Sequence, residues 1–160
     1  MFDLINGIPL HPLVVHAIVV LLPLATLGTI AIAVRPRWRR SYGPLVVAAA
    51  ALAAVLSPVA TQSGEALERR VGDPGVHAEL GDTLVFFAIA LTLASAALVW
   101  LERRASSPTR AASAGGSRLT TVVAIVAVVI GLASAVQVYR VGDSGARAAW
   151  GDAATQSGRP

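Results

Sequence analysis

The chain alternates long runs free of charged side chains with short, strongly charged ones. The first run extends from Pro12 to about Val34, with Pro23 near its middle. At about 1.5 Å per residue it is long enough to cross a hydrocarbon core of roughly 30 Å. Three more runs follow, at about residues 44–60, 83–101 and 119–139, the second being the richest in alanine. Inside lipid every backbone polar group must be bonded within the protein, which leaves helices or a closed barrel. Strand-like alternation is absent. The pattern therefore predicts an all-α fold: a single domain over residues 1–160, built as an integral membrane four-helix bundle. A secretory signal would require a basic leader and a short apolar core. The N-terminus here carries Asp3 and no arginine, and the run is too long, so it is expected to be a retained helix.

The polar stretches add direction. Arg35-Pro36-Arg37-Trp38-Arg39-Arg40 separates the first two runs. Thr61-Gln62-Ser63-Gly64 leads into a charged stretch, 65–70, expected to continue as an amphipathic helix. Asp73-Pro74 is a helix-start signal, with Asp as the capping residue and Pro in the first turn. Residues 102–118, rich in Ser, Ala, Gly and Pro, read as a flexible linker. Residues 140–160 read as a polar, superficial tail with a turn at Gly142-Asp143-Ser144-Gly145. The first and third connections hold Arg35, Arg37, Arg39, Arg40, Arg103, Arg104, Arg110 and Arg118 against Glu102 alone. The second holds Arg69 and Arg70 against Glu65, Glu68, Asp73, Glu79 and Asp82. Arginine-rich loops stay in the cytoplasm. Both termini and all three histidines are thus expected on the non-cytoplasmic side of a bacterial plasma membrane.

A short internal match suggests two repeated helical hairpins. His11 and His77 open the first and third runs, and Arg-Val-Gly-Asp follows the second and fourth, at 70–73 and 140–143. Such a repeat would be related by an axis along the membrane normal. Small residues at Ala127, Gly131 and Ala135, and at Ala88 and Ala94 to Ala97, permit close helix approach, expected within the bundle rather than between copies.

Composition agrees with this picture and removes several functions. The 160 residues are 55% hydrophobic and 14% charged, against about 25% charged in soluble domains. All 13 basic residues are arginine, dispersed between apolar segments, so a contiguous nucleic-acid surface is a poor reading. The absence of cysteine excludes disulfides, thiolate zinc sites, covalent c-type haem and cysteine-ligated iron–sulfur clusters within the chain. No nucleophile elbow accompanies Ser63 or Ser144, and no lysine exists for a phosphate loop. Catalysis is not the expected role.

The remaining chemistry is the three histidines. An ionisable group within a spanning segment is costly and points to function. That argument favours His16, whose neighbours are all apolar, and it predicts a side chain facing the bundle interior. His11 and His16 stand about 140° apart around a helix, so they do not share one face. A haem b held by one histidine of the first helix and one of the third fits bundle physics. His16 and His77 are the expected iron ligands, with His11 as the alternative to His16, and Arg70 and Arg140 as partners for the propionates. Competing readings are a zinc or copper site assembled from His11, His16, His77, Glu79 and Asp82, and a structural or pH-responsive subunit without redox chemistry.

The opening Gly7-Ile8-Pro9-Leu10-His11-Pro12-Leu13-Val14-Val15-His16, the third-helix His77 and the stretch from Gly142 to Trp150 resemble a family of small bacterial four-helix membrane proteins classed as a domain of unknown function. The arginine- and alanine-rich usage is similar to actinobacterial members. The resemblance spans nearly the whole chain. It implies electron transfer, because members occur fused to Rieske domains, and haem between histidines, because the helices are similar to those of membrane b-type cytochromes. With no cysteine in this chain, its redox partner would be a separate protein or membrane complex.

Overall fold

The computed structural model describes residues 4–5, 8–72, 75–105 and 114–156. A two-residue antiparallel ladder opens the chain, β1 (Leu4–Ile5) against β2 (Ile8–Pro9). Five α-helices follow: α1 (Leu10–Val34), α2 (Arg39–Val71), α3 (Val76–Asp82), α4 (Leu84–Ala105) and α5 (Ala114–Gln156). Four of the helical stretches are long and apolar enough to cross a membrane.

Local chemistry sets the boundaries. Pro12 falls in the first turn of α1, where its missing N–H is not needed. Val34 and Arg35 end that helix ahead of Pro36, as the residue before proline disfavours helix, and a 3-10 turn, Pro36–Trp38, leads into α2. Gly72, at φ 98°, stops α2 while its N–H still reaches Glu68 O at 2.8 Å; only glycine holds that conformation cheaply. The helix-start pair Asp73-Pro74 lies outside the described residues. Thr83 forms a turn between α3 and α4, which the uninterrupted pattern did not suggest. Gln137 of α5 fixes this break, donating to Leu80 O at 3.1 Å and to Thr83 Oγ1 at 2.7 Å. Two expectations change. The linker over 102–118 is shorter, since α4 runs to Ala105 and α5 begins at Ala114; residues 106–113 lie outside the described set. The superficial tail is instead a continuation of α5, helical through Gly142–Gly145 and on to Gln156.

The helices pack in the cyclic order α1, α2, α4, α5, with α1 and α4 also touching across the centre. The interior is small and partly polar. Ala25, Ala50, Ala53, Ala88, Leu91 and Leu98 are buried beside Thr26, Thr29, Ser57, Ser95 and Ser134. Ser57, Ser95 and Ser134 donate to carbonyls one turn back, at 2.7–2.8 Å, which removes the cost of burying a hydroxyl. Large apolar side chains point outward instead: Leu24, Leu27, Leu45, Phe86, Leu93 and Val129 are all exposed. A bundle that turns its bulkiest apolar side chains outward is built for lipid. Ala127 and Gly131 are buried against the rest of the bundle, Gly131 beneath Ile30 of α1, whereas Ala135 faces outward.

The burial pattern of the two hairpins repeats. Buried positions of α1 recur in α4 at a shift of 66 residues, as Leu22 with Ala88, Ala25 with Leu91, Thr29 with Ser95 and Ile32 with Leu98. Buried positions of α2 recur in α5 at a shift of 81, as Val46 with Ala127, Ala50 with Gly131 and Ala53 with Ser134. The Arg-Val-Gly-Asp match does not follow this register. Arg70 stands in the last turn of α2, whereas Arg140 lies well inside α5. Core packing, rather than the tetrapeptide, carries the repeat.

Candidate functional site

The shift that superposes the cores of α1 and α4 also carries His11 onto His77. Both line one cavity of about 550 Å³, together with Val15, Ile18, Leu67, Leu84 and Gly81. Cavities of roughly 300–1,000 Å³ accommodate ligands of cofactor size.

Each imidazole is anchored the same way. His11 Nδ1 lies 2.9 Å from Ala60 O. His77 Nδ1 lies 3.2 Å from Val141 O and 3.2 Å from Ser144 Oγ. A carbonyl oxygen only accepts, so in both rings Nδ1 carries the proton and donates it. In a neutral imidazole this leaves Nε2 with its lone pair available. A backbone carbonyl behind Nδ1 is the usual partner of a metal-ligating histidine, fixing its tautomer and ring orientation.

His16 stands elsewhere. Its side chain is exposed on α1, its Nδ1 bonded to Pro12 O one turn back, and it does not line the cavity. The expected inward orientation is not met. Being satisfied by its own helix close to that helix's start, the ring needs no partner in the interior, while His11, on a different face, turns toward α2.

Arg70 and Arg140 are both exposed and neither lines the cavity. Arg140 instead reaches Gln137 Oε1 at 3.5 Å. Besides the histidines, the ionisable members of the wall are Glu65, Glu68, Glu79 and Asp82, so the propionate contacts expected of the two arginines find no support. Among the described residues no group of three His, Asp or Glu gathers closely enough to hold a metal ion. His11, His16, His77, Glu79 and Asp82 therefore do not assemble the zinc or copper site considered above.

Sequence reasoning missed the floor of the site. Ser144 and Gly145, expected in a turn, are helical, as are Ser63 and Gly64, and these pairs lie beneath the histidine rings. The signal was present as Ser-Gly at 63–64 and at 144–145, after a histidine in each hairpin.

A second cavity, about 970 Å³, opens at the arginine-rich end between α1, α4 and α5. Its charged members are already engaged. Arg39 bonds α1 carbonyls and faces Glu102, and Arg104 stacks on Trp100 at 3.5 Å from the ring centroid.

A family model described as a predicted membrane protein (DUF2231) matches residues 7–158, nearly the whole chain. The chain belongs to the DUF2231 family. No curated protein and no solved structure matches it. Membership in DUF2231 agrees with the spanning helices and assigns no activity, so function has to be argued from the cavity.

Proposed function

We propose that the protein binds a b-type haem between His11 and His77 and carries electrons at the membrane. The observation that supports this reading most is the pair of imidazoles on one cavity, each with Nδ1 committed to a backbone carbonyl and Nε2 left available. Two protein ligands are too few for a zinc or copper ion, but they suffice for an iron whose other four ligands come from a macrocycle. The donor pair and the cavity volume are of the kind a haem would need, with His11 and His77 as the residues to hold it; the carboxylates of the wall do not supply partners for its propionates. When bound, the haem would supply one-electron Fe(III)/Fe(II) chemistry. An iron held by both His11 and His77 would serve electron transfer rather than catalysis.

The protein's own residues do the rest. Val15, Ile18, Leu67 and Leu84 give the cavity apolar wall, and Glu65, Glu68, Glu79 and Asp82 give it negative charge. Negative charge favours the oxidised metal, so a low reduction potential is expected. Most of the arginines lie toward the opposite end, which by the positive-inside rule favours the non-cytoplasmic face for this cavity, where a separate redox protein would exchange electrons with it.

The test is an oxidised and reduced visible spectrum of protein purified in detergent from haem-replete cells. A Soret band with sharp reduced bands is expected. It should be lost in His11→Ala and in His77→Ala but retained in His16→Ala. A featureless spectrum, with no uptake of haem on reconstitution, would refute the reading.

A further inference from the structure

The seats beneath the two rings are more alike than hydrogen bonding to a carbonyl requires. A Cβ on Gly64 would stand 3.0 Å from His11 Cε1, 3.2 Å from Nδ1 and 3.8 Å from Nε2. A Cβ on Gly145 would stand 2.9 Å from His77 Cε1, 3.1 Å from Nδ1 and 3.5 Å from Nε2. The same three ring atoms are met in the same order. In each case the residue before the glycine is a serine. Ser144 Oγ donates to Val141 O, the carbonyl that receives the imidazole, at 2.9 Å; Ser63 Oγ donates to Val59 O at 2.7 Å and stands 3.1 Å from Ala60 O. Ser63 and Gly64 fall on Ser144 and Gly145 at the same shift that superposes the buried faces of α2 and α5.

We infer that Gly64 and Gly145, with the carbonyls of Ala60 and Val141, are twin positioning seats: each glycine lets an imidazole lie close on its helix, and each carbonyl holds that ring in the Nδ1–H form with Nε2 left available, Ser144 adding a second partner in the seat of His77. The inference rests on the haem reading for its purpose, but the seat itself is a property of the protein without haem. A methyl group at either glycine meets the ring well inside van der Waals contact, so the ring has to lift and its hydrogen bond to the carbonyl has to lengthen. The helix itself is not harmed, because alanine is a better helix former than glycine by about 1 kcal/mol. The two seats differ in one respect. Ser144 Oγ is 3.2 Å from His77 Nδ1 and shares its proton with the carbonyl, whereas Ser63 Oγ is 3.5 Å from His11 Nδ1 and is at most a marginal partner.

The experiment uses the full chain in detergent micelles with ¹⁵N-labelled histidine, read by NMR without haem and by haemin titration and redox potentiometry with it. Without haem, His11 and His77 should both show the Nδ1–H tautomer. Gly64→Ala should disturb only His11, and Gly145→Ala only His77. With haemin, each glycine variant should weaken binding about 10- to 100-fold, the range typical of lost outer-shell support, and shift the potential. Ser144→Ala should behave like Gly145→Ala in milder form and be rescued by Ser144→Thr, while Ser63→Ala should change little. If the wild-type rings show the Nδ1–H tautomer and respond to the variants but no haem binds, the haem reading fails and the seats stand. If haem binds and the glycine variants leave tautomer, affinity and potential unchanged while the fold is retained by circular dichroism, the seats are overturned. A wild-type Nε2–H tautomer in either ring would overturn them as well.

Discussion

Arg39 is the most heavily committed charge in the protein, and its removal has a calculable cost. It opens α2 yet is only 4% exposed. The last carbonyls of a helix have no partner within it. At the end of α1, Arg35 N–H takes Ala31 O at 2.9 Å. Arg39 takes the next two, with Nε 2.8 Å from Ile32 O and an Nη 3.0 Å from Ala33 O. Its other Nη stands 3.8 Å from Glu102, which also has Arg40 at 3.3 Å. Arg39→Ala therefore leaves two buried carbonyls without a donor, at about 1–3 kcal/mol each, while Glu102 keeps one partner. The relief of no longer burying a guanidinium offsets part of this, so the net loss should be about 2–4 kcal/mol. Arg39→Lys keeps the charge but not the planar fork that serves two carbonyls and a carboxylate together, and should lose roughly half as much. The assay is equilibrium unfolding in mixed micelles, followed by helical circular dichroism as the fraction of denaturing detergent rises. A loss below about 1 kcal/mol in Arg39→Ala would refute the assignment of both carbonyls to this side chain.

Three further outcomes follow from other contacts. A Cβ on Gly43 would run into Val99 Cγ2, so Gly43→Ala should destabilise by about 1–3 kcal/mol and Gly43→Ala/Val99→Ala should recover part of it, measured as a double-mutant cycle by the same unfolding assay. Gln137→Leu removes the donor that holds Leu80 O and Thr83 Oγ1; it should cost about 1–3 kcal/mol and, by loosening the α3–α4 turn, weaken haem at His77 more than it alters the signals of His11 in the NMR spectrum. Glu79→Gln and Asp82→Asn each remove a negative charge from the cavity wall; the reduction potential of the haem-loaded protein should rise, by tens of millivolts on the order expected from screened Coulomb interactions, and a fall on potentiometric titration would contradict the charge argument.

The hydrophobic pattern by itself determined four spanning helices, because backbone satisfaction in lipid leaves no other solution for long runs without charge. It also located the histidines at one end and most of the arginines at the other, since a spanning segment fixes which residues share a face of the membrane. It did not determine which histidine faces inward. That depends on helix rotation, and along α1 the outward positions are as apolar as the inward ones: Val19, Val20, Leu24 and Leu27 are exposed, while Val14, Ile18 and Leu22 are buried. With lipid as solvent, hydrophobicity no longer distinguishes core from surface, so His16 and His11 could not be told apart by their neighbours. Only packing against α2 decided it, turning His11 onto Gly64 and leaving His16 outside. The same holds for Ser144 and Gly145. Their residue types suggest a turn in an isolated stretch, and they become part of a helix, and the floor of a site, because α3 brings His77 down upon them. The repeat shows the limit most clearly: a four-residue identity is visible in the chain, but the spacing that matters is carried by buried positions whose equivalence appears only once the helices pack.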